Sequence, residues 1–166
     1  MTTAAQFELH PELDVPTFHG LIHSGRSLWT PRQLRDVTRA VSTKLTAQLL
    51  SVLRYEEPQR WWARLALTDS VEIWLLSWLP GQGTPPHDHG GAAGSFTVLR
   101  GGLIEDYVYP ESPIRSHRLA AGAGVGFSGS RAHQVRNLDT EPAASVHAYS
   151  PPLRPMREYA SLEDAS

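Results

Sequence analysis

The stretch Pro86-His87-Asp88-His89-Gly90 gives the first indication of both fold and chemistry. Its two histidines are two residues apart, so both imidazole rings point to the same side of an extended strand. Two neutral imidazoles directed at one point provide half of a metal site. His133 lies in a segment that also alternates like a strand, and a neighbouring strand of a barrel can supply a third ligand. We therefore expect His87, His89 and His133 to bind one metal ion.

On both sides of this stretch, from Trp61 onward, short segments show the periodicity of β-strands and are separated by turn residues. The predicted strands cover residues 62–67, 71–79, 95–99, 103–109, 117–119, 125–127, 133–137 and 143–149. Such a series predicts a mainly β protein with a small jelly-roll barrel. Trp74 and Trp78 share one strand face and are expected in the core, whereas His117 is expected on a surface hairpin.

A helix is predicted before the strands. Thr30 and Gln33 form a capping box with Pro31 at the first helical position. Apolar residues then recur every three or four positions, which predicts one helix to about Leu53 that packs on the outside of the barrel. The first 29 residues have little periodicity, and we expect the histidines in them to lie at the surface. These are His10, His19 and His23.

Length and composition fit one domain, since 166 residues with 40% hydrophobic content can form a core of ordinary size. We divide the chain into an N-terminal helical cap over residues 1–58 and a barrel over residues 59–155. Residues 156–166 form a polar tail that is expected to fray.

The charge pattern argues against several classes of partner. Fifteen basic and seventeen acidic residues give a net charge of −2, without a basic cluster of the kind that binds nucleic acid. No stretch approaches the roughly 18 apolar residues that span a bilayer, and the N-terminus has no apolar signal region. The absence of cysteine excludes disulfides and thiolate ligands. We expect a cytoplasmic monomer that binds a small molecule and neither nucleic acid nor membranes.

The spacing of glycines and histidines resembles the two motifs of the cupins. The matching positions are Gly81, His87, His89, Gly94 and Gly101 in the first motif and Gly122, His133 and Asn137 in the second. The metal-binding glutamate that usually follows the first two histidines is absent, because Ala93 and Gly94 occupy its place. The resemblance implies a cupin barrel whose metal site has three histidines and no carboxylate.

A cupin with this ligand set resembles the cysteine dioxygenase family of thiol dioxygenases. Ser145, His147 and Tyr149 look like the Ser-x-His-x-Tyr relay of that family. Arg64 stands where the family binds the substrate carboxylate, and a guanidinium can form a bidentate pair with such a group. Trp62 lies on the same strand face, at a position where the family often has tyrosine. It either replaces that ring in packing or contacts a quaternary ammonium group of the substrate.

The three relay residues alternate on one strand face, so Ser145 can orient His147, which in turn can position the hydroxyl of Tyr149 near the metal. Such a hydroxyl can stabilise negative charge that develops on reacting oxygen. The alternative is a buried hydrogen-bond ladder that only stiffens the strand.

The resemblance implies a mononuclear non-haem Fe(II) enzyme that adds both atoms of O2 to a small thiol to give a sulfinic acid. The histidines alone also suit zinc or nickel, but zinc has no redox chemistry. Cysteine is the expected substrate, and 3-mercaptopropionate and ergothioneine are the alternatives. A cupin that only binds a small ligand is the alternative from another class.

Overall fold

Three helices precede most of the strands. The computed structural model describes residues 8–23, 25 and 27–166, and its α-helices are α1 (Pro16–Ile22), α2 (Pro31–Lys44) and α3 (Thr46–Val52). Leu13, Phe18 and Ile22 are buried in the core that α2 covers, so the poorly patterned N-terminal part contributes to packing, which its sequence pattern did not predict. None of the helices in the described ranges is both long and apolar enough to cross a membrane.

The segment predicted as one helix forms two. The capping box of Thr30 and Gln33 is present, but the helical path breaks at Leu45, whose φ is −121° and ψ is 26°. Thr46 donates its hydroxyl to the carbonyl of Ser42 at 2.6 Å. Threonine side chains that bond back to the preceding turn bend helices. The apolar periodicity continues across the break, which is why the sequence pattern did not show it.

The predicted strands are present, with ends that move by at most two residues. The strands are β1 (Glu8–Leu9), β2 (Trp62–Leu67), β3 (Glu72–Trp78), β4 (Ala93–Arg100), β5 (Gly102–Val108), β6 (Arg115–Ala120), β7 (Gly124–Phe127), β8 (Ala132–Arg136) and β9 (Ala143–Ser150). Only β1 was not predicted among these strands. The prediction of a mainly β protein with an N-terminal helical segment is confirmed.

Two antiparallel sheets enclose the interior of the barrel. One sheet has the strand order β1-β2-β3-β9-β4-β7, and the other has the order β6-β5-β8. An apolar core connects them, because Phe96 and Val98 of the larger sheet pack in one cluster with Leu103 and Val135 of the smaller sheet.

Alternation along β9 separates the two sides of the larger sheet. Val146 and Ala148 belong to the core that includes α2, so they face the outside of the barrel. Ser145, His147 and Tyr149 occupy the alternate positions and therefore face the interior. The pattern of one strand thus separates residues that hold the helices from residues that are available to a site.

The C-terminal segment is part of the packed structure. Leu162 is 6% exposed and packs with Val108 and Ala132, and the backbone N–H of Tyr159 donates to the carbonyl of Pro86 at 2.8 Å. The expectation that this tail frays differs from what the structure shows. Although this segment is mostly polar, it contains the buried Leu162, and its backbone forms hydrogen bonds to Pro86 and Asp88.

Candidate active site

His87 and His89 lie in an extended segment rather than in a regular strand. Isolated bridges join His87 to His133 on one side and to Glu158 on the other. The backbone of His87 exchanges two hydrogen bonds of 2.9 Å with that of His133. Between the two histidines, Asp88 accepts a hydrogen bond from the hydroxyl of Tyr159 at 2.7 Å. The C-terminal segment and β8 thereby hold the backbone that carries both histidines.

The three predicted ligands come together. Their ring centroids lie 4.7 Å, 4.8 Å and 4.9 Å apart in the three pairs, and their candidate ligand atoms are all within 4.8 Å of one another. His87, His89 and His133 are 7%, 3% and 1% exposed. Three buried imidazoles at this separation form a group that can hold a metal ion.

The hydrogen bonds of the rings leave at least one nitrogen of each histidine for a metal. Nδ1 of His87 lies 2.8 Å from the carbonyl of Pro85, and Nδ1 of His133 lies 2.8 Å from Oε1 of Glu105. Since both partners are acceptors, Nδ1 carries the hydrogen in each ring and Nε2 keeps its lone pair. Both ring nitrogens of His89 are buried without a hydrogen-bond partner. Buried polar atoms are rarely left unpaired, so this arrangement fits a bound metal.

The local electrostatics keep the rings of His87 and His89 neutral. Burial, followed by the charge of His133, lowers the pKa of His87 from 6.5 to about 4. The same two causes hold the pKa of His89 well below its usual range. Neutral imidazole is the form that binds a metal, so His87 and His89 are ready to act as ligands at neutral pH.

We predict that the metal-free protein loses stability as the pH falls from 7 to 5. A folded-state pKa below the unfolded value means that the unfolded chain binds more protons in this window, so the free energy of unfolding decreases toward acid. His87 alone corresponds to a loss of about 2 kcal/mol. Urea unfolding of the metal-free protein at both pH values measures the change. If the free energy of unfolding of His87→Gln falls between pH 7 and pH 5 as much as that of the unchanged protein, the effect does not come from His87.

Glu105 is a functional residue that the sequence interpretation missed. Its side chain is completely buried and contacts three basic groups, namely His133, Arg131 and His117. Burial alone would raise the pKa of Glu105, but the hydrogen bonds from His117 and His133 outweigh it and hold the pKa well below its usual range. A carboxylate on the outer nitrogen of a ligand histidine fixes the ring and its tautomer. The available signal was that Glu105 shares a strand face with Leu103, which is in the core.

His117 is not confined to the surface role that its predicted hairpin indicated. It lies on β6 and hydrogen-bonds Glu105, while its side chain is still 34% exposed. Through His117, the buried carboxylate of Glu105 is connected to the protein surface. Sequence alone could not show it, because it depends on the pairing of β6 with β5.

The relay residues lie in hydrogen-bonding order on the interior face of β9. Oγ of Ser145 is 2.7 Å from Nε2 of His147, and Nδ1 of His147 is 3.2 Å from the hydroxyl of Tyr149. Burial holds the pKa of His147 well below its usual range, so this ring is neutral.

A further donor, Trp78, favours one direction of the relay. Its indole N–H donates to Oγ of Ser145 at 2.8 Å. The serine hydroxyl is then left to donate to Nε2 of His147, whose Nδ1–H donates to the oxygen of Tyr149. The phenolic proton of Tyr149 is consequently free to be donated elsewhere. Trp78 is fully buried, as expected, but its polar atom also serves this chain of hydrogen bonds.

A cavity of about 330 Å³ opens beside the histidines, and its wall includes His89 and Tyr149. A smaller cavity of about 140 Å³ is lined by His87, His133 and His147, and Tyr149 lines both cavities. The metal group and the end of the relay therefore border the same space, where a small molecule can contact both.

The two expected substrate-binding residues have different positions. Trp62 lines the larger cavity, whereas Arg64 does not. Arg64 donates to Oε2 of Glu8 at 2.6 Å and is thereby paired. Arg60 lines both cavities and has no ion pair or hydrogen bond among the residues that the structure describes. Burial lowers the pKa of Arg60, and its guanidinium carbon lies 4.6 Å from the centroid of the Trp78 ring.

Trp74 also lines the larger cavity and is only partly buried, whereas the sequence pattern predicted a core position. The three histidines that were expected at the surface lie in the N-terminal part and make local contacts. His10 accepts a hydrogen bond from the N–H of Glu12, and His19 pairs with Asp14 at 2.6 Å and stacks on His23. None of the three lines either cavity.

Comparison with solved structures shows the fold. A Thermus thermophilus protein is 22% identical with a TM-score of 0.56, and the match covers 62% of this chain and 93% of that chain. A Klebsiella pneumoniae protein with a double-stranded β-helix domain is 18% identical with a TM-score of 0.55 and is covered to 92%, against 66% of this chain. An oxalate oxidase in complex with glycolate is 17% identical with a TM-score of 0.55, covering 62% of this chain and 56% of that chain. The expected cupin barrel is confirmed.

Comparison at the sequence level shows the family. The chain is 31% identical over 97 residues to cysteine dioxygenase type 1 of Danio rerio, a match that covers 52% of this chain and 48% of the zebrafish protein. The chain thus matches about half the length of that relative. The family model for cysteine dioxygenase type I matches residues 32–161, which include every residue of the histidine group and of the relay. This match extends over well more than half of the sequence, and the protein belongs to the cysteine dioxygenase type I family.

Proposed function

We propose that the protein is an Fe(II)-dependent thiol dioxygenase that converts a small carboxylate-bearing thiol to its sulfinic acid. The reaction is R–SH + O2 → R–SO2H. Both oxygen atoms form bonds to sulfur, the sulfur loses four electrons and O2 accepts them, so no further reductant is required. Cysteine is the first substrate to test, and 3-mercaptopropionate and ergothioneine are the alternatives.

The observation that carries this proposal is the convergence of three buried imidazoles on cavities that Tyr149 also lines. Membership of the cysteine dioxygenase type I family supports the reaction type. Bound Fe(II) supplies coordination positions for a thiolate and O2, together with the redox chemistry that zinc lacks. With three neutral ligands the metal also keeps its full positive charge, which favours an anionic substrate.

The residues around the metal group have separate tasks in this proposal. Tyr149 donates the proton that the relay leaves free, and burial raises its pKa, so the phenol stays protonated at neutral pH. The donated hydrogen bond stabilises negative charge that develops on the reacting oxygen atoms. Arg60 binds the carboxylate of the thiol, because it is the unpaired guanidinium of both cavities.

Oxygen consumption tests the proposal against a cupin that only binds a ligand. Iron-loaded protein is expected to consume one O2 for each thiol and to produce the corresponding sulfinic acid, identified by mass spectrometry with ¹⁸O2 as both oxygen atoms. Cysteine, 3-mercaptopropionate and ergothioneine form the panel. Binding of these thiols without oxygen uptake would favour the binding protein and refute the enzyme.

We predict that Tyr149→Phe retains iron and the fold but lowers kcat by roughly 10²-fold, the effect of losing one oriented donor to a developing anion. Steady-state oxygen uptake measures the change, and iron analysis shows that the metal is kept. Tyr55→Phe is the matched control, because Tyr55 packs against the helical core and lines neither cavity. An unchanged rate in Tyr149→Phe would assign the relay to strand stiffening alone.

A further inference from the structure

Two tryptophans and a carboxylate form one wall of the larger cavity, whose lining also includes His89 and Tyr149. Trp62 on β2 and Trp74 on β3 meet edge to face, with ring centroids 5.2 Å apart and an angle of 72° between the rings. Glu72 lies two residues before Trp74 on β3 and lines the same cavity. The alternation of the strand therefore places Glu72 and Trp74 on the same face.

Glu72 is a buried carboxyl without a cation at its side. It is 9% exposed, and the ion pairs among the described residues do not include it. Burial is the largest influence on its pKa and raises it, and this effect exceeds the lowering by the hydrogen bonds from Leu153 and Trp74 and by the charge of Arg64. A carboxylate in this position gains stability from a positively charged ligand in the cavity.

The aromatic wall already attracts one cation of the protein. The guanidinium carbon of Arg64 lies 5.6 Å from the centroid of the Trp74 ring, within the range of cation–π contact. The charge of Arg64 is compensated by Glu8, so it does not oppose a second cation as an isolated arginine would. Arg60 contacts Trp78 beside the histidines instead, and the exposed Arg154 is a further cation in the lining of the cavity. The cavity thus offers Arg60 to an anionic group and the two tryptophans with Glu72 to a cationic group.

We propose that Trp62, Trp74 and Glu72 form a subsite for an organic cation, a protonated amine or a quaternary ammonium group. This inference rests on the proposed function only in its substrate class: the preferred thiol carries a carboxylate for Arg60 and a separate cationic group for this subsite. The volume of about 330 Å³ lies within the range of pockets that hold drug-sized ligands, roughly 300–1,000 Å³. The space therefore accommodates a thiol that is bulkier than cysteine.

Binding of choline to the metal-free protein tests the subsite without turnover. Its neutral isostere, 3,3-dimethylbutan-1-ol, has the same shape and no charge. We expect choline to bind at least about tenfold more tightly, because the ring faces and the carboxylate stabilise charge rather than shape. Titrations followed through the indole N–H resonances locate the ligand, and the signals of Trp62 and Trp74 are expected to shift. Equal affinity for the two compounds, or shifts confined to other tryptophans, would overturn the proposal.

Variants then assign the contribution of each group. Trp62→Leu and Glu72→Gln are each expected to weaken choline binding by about tenfold, whereas Asp69→Asn, an exposed carboxylate on the neighbouring turn, is expected to have no effect. In turnover, Trp62→Leu is expected to lower kcat/KM more for ergothioneine than for 3-mercaptopropionate, which has no cationic group. Selective choline binding without oxidation of any thiol would leave the subsite standing and refute the dioxygenase. Oxidation of thiols without selective choline binding would support the dioxygenase and refute the subsite.

Discussion

Alanine at His87, His89 or His133 is expected to abolish stoichiometric iron binding and turnover together. Each replacement removes one of three ligands from a group whose candidate ligand atoms lie within 4.8 Å of one another. No carboxylate replaces the lost ligand from positions 93 and 94, because alanine and glycine stand there. Iron content after anaerobic loading and desalting measures the loss of metal, and oxygen uptake measures the loss of turnover. His10→Ala, a histidine in the N-terminal part of the chain, is the matched control.

Stoichiometric iron in all three variants would contradict the assignment. Circular dichroism and thermal unfolding of the metal-free variants separate a lost ligand from a lost fold. His89→Ala is the most informative variant in this respect, because neither ring nitrogen of His89 bonds to another protein atom. Its removal costs packing but no hydrogen bond.

Glu105→Gln is expected to weaken iron binding at the three histidines without abolishing it. Glutamine keeps an oxygen near Nδ1 of His133 but removes the charge that Arg131 and His117 compensate. Iron affinity is expected to fall by about 10- to 100-fold, the range found when an outer partner of a ligand histidine is changed. Competition with a chelator measures that affinity. An unchanged affinity would mean that the charge of Glu105 does not support His133 as a ligand.

The metal group could be predicted because its spacing is local. Two histidines two residues apart share a face in any extended backbone, whether that backbone is a regular strand or, as here, a segment held by isolated bridges. The relay on β9 follows from the same two-residue period. These inferences need no knowledge of which strands are neighbours.

The residues that were missed depend on strand pairing and on side-chain direction. Glu105 reaches His133 because β5 pairs with β8, a contact between positions 28 apart in sequence. Trp74 and Trp78 share a face of β3, but one reaches the cavity rim and the other the closed interior. The Arg64 expectation did not include Glu8, which the pairing of β1 with β2 brings close. No periodicity in the sequence carries this information.

Arg60→Met is expected to lower kcat/KM for 3-mercaptopropionate and cysteine by an amount that corresponds to about 2 to 5 kcal/mol. The reason is that a substrate carboxylate in a poorly solvated cavity loses its partner. Arg64→Met is the matched control, and its effect is expected to be less than tenfold, because Arg64 is already paired with Glu8 and does not line the cavity. Arg60 and Arg64 thus differ in two respects. Arg64 has a carboxylate partner in Glu8, and only Arg60 lines the cavity.

Cysteamine separates carboxylate binding from a general effect of Arg60 on the metal group. It has the thiol and the amine of cysteine but no carboxylate, so its turnover is expected to change little in Arg60→Met. An equal loss for cysteamine would mean that Arg60 acts on the histidines, since its charge also lowers the pKa of His87 behind the larger influence of burial. A larger loss in Arg64→Met than in Arg60→Met would assign the carboxylate to Arg64, as the family resemblance implies, and would require that arginine to leave Glu8 when substrate binds.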